Sequence, residues 1–445
     1  MRFHFKILIS LSFVLSSSLV WAESVPKKFS LELAEQLALE MSPDSRLADS
    51  YIHSLEQKVR SVDANNYPKI VLEGSYKYIE TVPELSTQAG VVSLGDNQNY
   101  SIGPAIIFNL FDGGVVRNTV KSLKELKESK ISEKLYVESM VRFAVRLAYL
   151  NVLISGEQYH LAQESYNLSK VQNQDIKRKR KLGALSQLDL SLSNGEFLNQ
   201  KLKLLDAKKV LKKSIIDLSV LVSKNSQESI LYVPREFSFV SGSLVQFDSL
   251  DQIIQILEKS LLVSSGRPAQ VMALERKIES VEKEVKAESS KYWPQVSLKI
   301  KSSLDYPNGP KIEEIHQNSI GLNLTMPLYD WGERSGAKAE KRAQIEGLKA
   351  RKWKLERDIN KDITKVKLEL QSLKEQEPLI DDLVLEVIKV AKINLSTFKS
   401  GKIEFTEVER ANVKKFEAQV RRLILKGQIF SKLSQIDALS QGGLK

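Results

Sequence analysis

The feature that most constrains the fold of this chain is an internal duplication with a fixed offset. The segment Leu-Phe-Asp-Gly-Gly at 110–114 returns as Leu-Tyr-Asp-Trp-Gly at 328–332, which is 218 residues later. Gly183 and Gly401, each followed six residues later by an acidic residue, keep the same offset. The chain is therefore a tandem repeat, and we expect two copies of one structural unit.

The spacer inside each copy has a fixed length and a helical pattern. Asp112 and Gly183 are 71 residues apart, and so are Asp330 and Gly401. Apolar residues in both spacers recur with alternating steps of three and four, which is typical of a coiled-coil seam. In the second copy these positions are Ile359, Ile363, Val366, Leu370, Leu373, Ile380, Val384, Val387 and Ala391. A fully helical spacer would be a rod of about 105 Å.

A pair of strands precedes each spacer, at about 68–111 and about 294–329. Apolar and polar residues alternate there with the period of two that indicates a strand. For example, Val296, Leu298 and Ile300 alternate with polar residues. Residues 82–97 are expected to form the loop of the first hairpin. A half-buried soluble sheet and membrane strands, which need about 9 to 11 residues, both fit this pattern.

Helices are predicted around the hairpins and after the glycines, at about 30–64, 186–222, 248–290 and 404–439. Residues 224–248 are predicted to be a linker between the copies. Gly156 and Pro378 are weak points of the two rods, since glycine has low helix propensity and proline removes a hydrogen bond. We expect a bend or a short break at each of them.

The N-terminal 22 residues have the three parts of a secretory signal. Arg2 and Lys6 precede an apolar run at 7–20, and Ala22 offers a small residue for cleavage. No later segment reaches the roughly 18 apolar residues of a membrane-spanning helix. We therefore predict a signal peptide at 1–22 and export of the mature chain.

Composition argues against enzymes and nucleic-acid binders. The chain has no cysteine, so disulfides and thiolate chemistry are excluded. The net charge of +11 comes from basic residues interleaved with acidic ones, as at 121–128, and this favours solvated helix faces over a phosphate-binding patch. His53, His160 and His316 lack metal-ligand spacing. We expect no catalytic site, no cofactor, no metal and no nucleic acid.

These features together resemble the TolC family of outer-membrane efflux and secretion channels. The matching features are the signal, the doubled order of helix, strand pair, long helix, glycine turn and returning helix, and the landmarks Asp112, Gly114, Asp330 and Gly332 at the barrel-to-helix junctions. The resemblance implies an α+β membrane protein in the outer membrane of a Gram-negative bacterium. Four strands per chain would join a trimeric 12-stranded β-barrel, and the helical hairpins would form a periplasmic α-barrel. It divides the chain into a first repeat at 23–240 and a second at 241–445.

The resemblance also implies the function and the partners. A homotrimer in outer-membrane lipid would be a passive exit duct that meets a periplasmic adaptor and an inner-membrane transporter of the RND or ABC type. The substrate, whether drug, metal or secreted protein, would be chosen by the transporter. The alternative from the residues alone is a soluble periplasmic coiled-coil scaffold or adaptor.

The resemblance places an entrance at the two glycine turns. Gly183 and Gly401 would form the turns, and Asp189 and Glu407, each six residues later, would match the acidic rings of the family. Arg410 departs from that pattern, because a second acidic residue is expected there. An ion pair between Glu407 and Arg410 would weaken cation selectivity. The other interpretation of the two acids is a first-turn acidic residue that the helix dipole favours.

Overall fold

The computed structural model describes residues 28–87, 90–223, 246–263 and 266–440. The predicted signal peptide, most of the predicted linker and the predicted repeat boundary at 240/241 lie outside these ranges. The helices in the described part of the chain are α1 Leu31–Met41, α2 Pro43–Asp63, α3 Val115–Lys181, α4 Gln187–Val222, α5 Leu250–Val263, α6 Ala269–Ser290, α7 Glu333–Lys399 and α8 Phe405–Ser440. None of these helices combines the length and the apolar content that a membrane-spanning helix needs.

The long helices confirm the duplication residue by residue. Helices α3 and α7 have 67 residues each, and α4 and α8 have 36 residues each. Each pair begins and ends at the 218-residue offset of the sequence motifs. A 67-residue helix is about 100 Å long. In each repeat the strands therefore lie at one end of a long rod, and the glycine turn lies at the other end.

The predicted helix breaks do not occur. Helix α3 runs without interruption through Gly156, and α7 runs through Pro378. Gly156 is buried in the interior of α3, where packing surrounds the helix. Pro378 is exposed, so water can satisfy the carbonyl group that loses its partner. Tertiary packing along the rods outweighs one unfavourable residue in each.

The shorter helical segments are divided, which the periodicity did not indicate. The predicted helix at 30–64 is two helices, because Ser42 leaves the helical conformation and its hydroxyl accepts a hydrogen bond from the Ser45 amide. Pro43 then starts α2 at its first position, where a missing amide costs nothing. The predicted stretch at 248–290 is likewise divided into α5 and α6.

Strands from both repeats form one antiparallel sheet. The strands of this sheet are β2 Lys69–Tyr78, β5 Gln98–Phe111, β7 Gln295–Tyr306 and β8 Ile315–Thr325, in the order β2-β5-β7-β8. The centre of the sheet joins the two repeats, because β5 pairs with β7. Strands β2 and β8 are its open edges.

The loop predicted at 82–97 contains strands of its own. Residues Glu84–Thr87 (β3) and Gly90–Ser93 (β4) pair as a separate two-stranded sheet. Leu85, Val91 and Val92 give this segment β propensity, although Pro83, Gly90 and Gly95 had indicated a loop.

The two faces of the four-stranded sheet differ in polarity. One face is apolar across all strands, and its members include Ile70, Leu72, Ile106, Leu298, Ile320, Leu322 and Leu324. Its edge residues are strongly exposed in the single chain, for example Ile70 at 77% and Ile320 at 74%. The other face holds charged pairs. Lys299 lies 2.8 Å from Glu73, and Ser101 donates to Asp305 at 2.6 Å.

The main core lies partway along the rods. Lys28–Phe29 (β1) and Gln246–Phe247 (β6), again 218 residues apart, pair as a two-stranded parallel sheet. The fully buried Tyr149 on α3 joins both strands. Its hydroxyl donates to the Phe29 carbonyl at 2.8 Å and accepts from the Asp248 amide at 3.0 Å. Burial raises the pKa of Tyr149 far above its usual range.

A buried ion network lies in the same core. Arg146 of α3 is 1% exposed, and its guanidinium donates to Glu35 of α1 at 2.6 Å and to Asp437 of α8 at 2.7 Å. These contacts tie α1, α3 and α8 together. The core therefore fixes both repeats against each other between the sheet and the turns.

Candidate functional site: the entrance turns and the strand-to-rod junctions

The two glycine turns have the same geometry. Gly183 and Gly401 adopt φ angles of +75° and +73°, which L side chains rarely adopt. The Gly183 amide donates to the Arg180 carbonyl at 3.0 Å, and the Gly401 amide donates to the Phe398 carbonyl at 2.9 Å. The residue after each glycine donates to the carbonyl five residues earlier, at 3.0 and 3.1 Å. This pattern ends a helix with a left-handed residue and lets the chain reverse.

A small apolar cluster joins the two turns at the end of the rods. Its buried members are Ile176 of α3 and Phe405 and Val408 of α8. Residues from both turns pack around them, namely Leu185, Leu190, Leu395, Phe398 and Ile403. The structure therefore brings the two predicted entrance turns side by side within one chain.

Asp189 forms a reciprocal capping box with Ser186 at the start of α4. The Asp189 amide donates to the Ser186 hydroxyl at 3.1 Å, and the Asp189 carboxylate accepts from the Ser186 amide at 3.0 Å. The Ser186 hydroxyl also lies 2.6 Å from that carboxylate. This geometry is that of a helix N-cap, so Asp189 stabilises the start of α4.

Glu407 forms the ion pair that its three-residue distance from Arg410 predicts. Arg410 Nη1 lies 2.8 Å from Glu407 Oε1, and both side chains are substantially exposed. The Glu407 carbonyl accepts from the Asn394 side chain at 3.2 Å, which ties α8 back to α7. The carboxylate at this end of the rods is therefore partly neutralised by its own helix.

A basic run that no motif marks in the sequence lies beside the first turn. Residues 177–181 are Lys-Arg-Lys-Arg-Lys, and they form the end of α3 next to Gly183. Asp175 lies 3.8 Å from both Arg178 and Lys179. The five consecutive basic residues are visible in the sequence, but the run by itself does not distinguish an entrance charge from a solvated helix face. At a helix C-terminus these charges are favoured by the dipole, and they make the first turn basic.

A cavity of about 260 Å³ lies between α3, α4 and α8 near the turns. Glu409 and Glu196 line it from α8 and α4. Burial, followed by the nearby Glu196 carboxylate, raises the pKa of Glu409 to about 7. Buried Glu409 Oε1 has no hydrogen-bond partner. No sequence signal points to Glu409, because it lies between the buried Val408 and the exposed Arg410 and no motif marks the face it occupies.

The junctions between sheet and rods also repeat their geometry. Asp112 accepts from the Gly114 amide at 2.8 Å and from the Val116 amide at 2.7 Å. Asp330 accepts from the amides of Gly332 and Arg334, both at 3.2 Å. Each aspartate therefore caps the first turn of a 67-residue helix. Gly114 and Gly332 allow the sharp entry through φ angles of +88° and +91°.

The residue between aspartate and glycine differs between the two junctions. Gly113 of the first junction lies so close to α6 that a Cβ atom would come within 2.4 Å of the Ser290 carbonyl oxygen and 2.7 Å of Trp293 Cβ. In the second junction the equivalent residue is Trp331, which has a φ of +50° and is 89% exposed. The first junction is packed inside the chain, and the second is open.

Comparison with known proteins decides the family. The sequence model described as outer membrane efflux protein matches residues 34–223 and 265–440, well over half of the chain. The chain belongs to the outer membrane efflux protein family. No curated protein sequence matches this efflux protein.

Solved structures similar to this efflux protein are outer-membrane channels. The CmeC channel of Campylobacter jejuni is 16% identical, with a TM-score of 0.73, and the match covers 93% of this chain and 86% of that one. VceC of Vibrio cholerae is 14% identical, with a TM-score of 0.69 and coverage of 92% and 96%. MtrE of Neisseria gonorrhoeae, solved in an open state, is 13% identical, with a TM-score of 0.66 and coverage of 93% and 89%. At these identities the comparison shows a shared fold.

Family membership and the shared fold confirm the predicted class, location and role. The efflux protein is an outer-membrane exit duct. Proteins of this family work with periplasmic adaptors and inner-membrane transporters in tripartite systems, and the family is one of channels rather than enzymes.

Proposed function

We propose that three copies of this efflux protein close one continuous duct, with the β-sheet in the outer membrane and the glycine turns at the periplasmic entrance. The observation that carries the proposal is the open four-stranded sheet. An open edge leaves backbone amides and carbonyls without partners, which lipid does not tolerate. Four strands cannot close on themselves, whereas three chains supply 12 strands, enough for a barrel.

The polarity of the sheet supports the same assignment. The apolar face carries Ile70, Leu72, Ile320 and Leu322, each more than 70% exposed in the single chain. A soluble scaffold or adaptor would leave this continuous apolar surface in water, which is rare outside interfaces. Facing lipid, the same surface is buried. The charged pairs of the opposite face then line a water-filled lumen.

The entrance lies at the far end of the rods, about 100 Å from the sheet at 1.5 Å per residue. In our proposal Gly183 and Gly401 form the turns of its rim, and Asp189, Glu407 and Arg410 contribute its charges. Asp189 is engaged in a capping box, and Glu407 is paired with Arg410. The basic run at 177–181 adds positive charge beside them. We therefore expect a rim with weak preference for cations.

The partners follow from this architecture. The entrance would meet a periplasmic adaptor and an inner-membrane transporter, and the transporter would determine whether a drug or a secreted protein enters. The chain has no cysteine and few histidines and methionines, so it offers little for a soft-metal path. This composition favours a general or protein-secretion duct.

The test begins with fractionation of cells that produce the full chain. The detergent-purified protein is then weighed by light scattering and incorporated into planar bilayers. We expect an outer-membrane protein with the mass of three chains and discrete conductance steps. A protein that fractionates without detergent, or a purified species of another stoichiometry that conducts no ions, would overturn the proposal in favour of a soluble scaffold.

A further inference from the structure

The internal duplication repeats one helix–helix contact surface, and the second copy of this surface is not covered within a single chain. Within the chain, rod α3 packs against α6, a contact between the first repeat and the second. The equivalent of α3 is α7, at an offset of 218. The equivalent of α6 is α2, because both helices begin 226 residues apart and both lead into an aromatic-proline pair, Tyr67-Pro68 and Trp293-Pro294. The faces of α7 and α2 that correspond to the α3–α6 contact are exposed.

Two contacts define the register of the contact between α3 and α6. The hydroxyls of Ser122 on α3 and Ser280 on α6 lie 3.0 Å apart. About two helical turns further along, Ser129 Oγ donates to the Ala273 carbonyl at 2.8 Å. All four residues are less than 5% exposed. Small side chains thus bring the two backbones close together.

The offsets locate the same positions on the open faces. Ser122 and Ser129 correspond to Glu340 and Gly347 on α7, whereas Ser280 and Ala273 correspond to Ser54 and Leu47 on α2. These four residues are exposed in the single chain. We infer that a second copy of the chain places its α2 on this face of α7, with Ser54 opposite Glu340 and Leu47 opposite Gly347. This inference rests on the three-chain assembly proposed above and gives its register.

Size complementarity supports this register. Inside the chain a serine on the rod meets an alanine on the short helix. At the inferred interface the rod has Gly347, whose added Cβ would meet nothing within 4 Å in the single chain. The short helix has the larger Leu47, which is 54% exposed. A leucine opposite a glycine is somewhat larger than an alanine opposite a serine, but the missing side chain of the glycine leaves room for most of the leucine, so the two helices can pack closely.

Charge complementarity supports it independently. In the contact inside the chain, Ser122 also lies 3.4 Å from Glu284 of α6. The corresponding residues are Glu340 on α7 and Lys58 on α2. A serine beside a glutamate is thus replaced by a glutamate beside a lysine. The opposite charges would pair across the two chains, where two acidic residues in these places would repel.

The inferred helix contact is continuous with the edge of the sheet. Strand β5 pairs with β7 above the α3–α6 contact, and the equivalent strands are the open edges β8 and β2. At the level between sheet and helices, Gly113 packs on Trp293. The equivalents are Trp331 and Tyr67, which are 89% and 63% exposed. The second copy therefore brings an aromatic ring to the exposed indole, and one surface runs from barrel edge to rod.

Engineered disulfides test the register, because the chain has no cysteine of its own. The variant Ser54→Cys with Glu340→Cys is expected to link neighbouring chains, so that non-reducing gels show covalent dimers and trimers that reductant removes. Ser122→Cys with Ser280→Cys is the matched control from the contact within the chain, and it should form a disulfide without changing the mass. Ser61→Cys with Glu340→Cys shifts α2 by seven residues, about 10 Å, and should not link.

The outcomes separate the register from the assembly. A trimer by light scattering in which only the shifted pair links, or neither pair links while the control does, would overturn the register and leave the proposed duct intact. A purified protein that is not a trimer would overturn the proposed function itself. Cross-linking of Glu340→Cys in cells to a heavier, different protein would show that a partner rather than a second copy covers this face, and would also overturn the inference.

Charge reversal gives a second readout that needs no disulfide. Lys58→Glu places two acidic residues together and is expected to lower the melting temperature of the trimer by several degrees. Adding Glu340→Lys should restore most of that loss. Two variants whose effects simply add would contradict the pairing of these two residues.

Discussion

Removal of Arg146 should strongly destabilise the fold. It is buried between Glu35 and Asp437, and its guanidinium compensates both carboxylates. Arg146→Ala leaves two acidic groups with little access to water, which typically costs about 3–5 kcal/mol. We expect a large fall in the apparent melting temperature, measured by circular dichroism at a fixed scan rate.

A surface ion pair provides the control for this prediction. Lys209 lies 3.0 Å from Asp206, and both side chains are more than 70% exposed. Lys209→Ala removes an interaction of about 0–1 kcal/mol, so its melting temperature should stay near that of the unchanged protein. Equal effects of the two substitutions would show that the buried network contributes no more than a surface pair.

Glu409 should make stability depend on pH. Its folded pKa of about 7 lies above the ordinary value of 4.5, so the folded state binds the proton more tightly than the unfolded state. Stability is therefore highest below about pH 4.5 with respect to this group, and it falls as pH rises towards 7. The charged groups that line the same cavity are Glu164, Glu196, Lys203 and Lys415.

Substitution by glutamine isolates this contribution. Glu409→Gln should flatten the fall in melting temperature between pH 5 and 8 and raise the melting temperature at pH 8. Glu164→Gln changes a half-exposed carboxylate of the same cavity and should leave the profile as it is. A profile that Glu409→Gln does not alter would assign the pH dependence to other groups.

Glu407 and Arg410 should oppose each other at the entrance. If the pair lines the constriction, Arg410→Ala frees the Glu407 carboxylate and should shift the reversal potential in a salt gradient towards cation selectivity. Glu407→Ala should shift it towards anions. Asp206→Ala changes an exposed acid on α4 outside the turns and serves as the control. Single-channel records unchanged in both variants would place the pair outside the conducting path.

The residues of the site could be predicted only in part from the sequence. The glycines and capping aspartates were found because backbone geometry imposes them in both copies, at one spacing. Arg146 and Glu409 were not found, because each differs from its equivalent in the other copy and its burial depends on helices distant in sequence. Comparison of the two repeats reveals only the residues that they share. Arg146 and Glu409 occupy positions at which the repeats differ.

At the scale of elements, the glycine turns give the sharpest prediction. An added Cβ atom at Gly183 or Gly401 would touch nothing within 4 Å, so the main cost lies in the positive φ angle, about 1–2 kcal/mol for an L residue. Gly183→Val and Gly401→Val should distort the entrance and impair export in a drug-susceptibility or secretion assay, while the protein still reaches the outer membrane.

A third glycine separates backbone strain from added bulk. Gly195 lies within α4, and a Cβ atom there would also meet nothing within 4 Å, but its φ is not positive. Gly195→Ala should leave export unchanged, because alanine stabilises a helix relative to glycine by up to about 1 kcal/mol. Unimpaired export in both valine variants would contradict the assignment of the turns to the entrance.

The elements themselves were largely predictable, and the errors have a common cause. Rod lengths, strand pairs and returning helices followed from periodicity and from the repeated spacing. The expected breaks at Gly156 and Pro378 do not occur, because a propensity of a few kcal/mol acts on one residue while packing acts along 67. A bend at either residue stays a prediction. The strands at 84–93 were missed since loop residues flank them. The propensities of single residues gave wrong predictions where packing between elements determines the secondary structure.

At the scale of the whole molecule, the different polarities of the two sheet faces determine which face contacts lipid and which lines the lumen. Leu322 and Asn323 are adjacent on the edge strand β8, so their side chains point to opposite faces. Leu322 pairs with Leu298 on the apolar face, whereas Asn323 pairs with Ser297 on the polar face. These neighbours share a strand, a depth and an edge, and they differ only in the side they face.

A lysine at each of these two positions tests the orientation of the barrel. Leu322→Lys should place a charge in hydrocarbon, at a cost of about 2–4 kcal/mol near the midplane, and should reduce the amount of trimer in the outer membrane. Asn323→Lys should assemble normally, because the charge meets water, and should shift the reversal potential towards anions. The amount of trimer is measured on semi-native gels and the selectivity in planar bilayers. Normal assembly of Leu322→Lys together with loss of Asn323→Lys would place the lumen on the apolar side. The charged pair between Glu73 and Lys299 would then face lipid, where its desolvation would cost more than its contact returns.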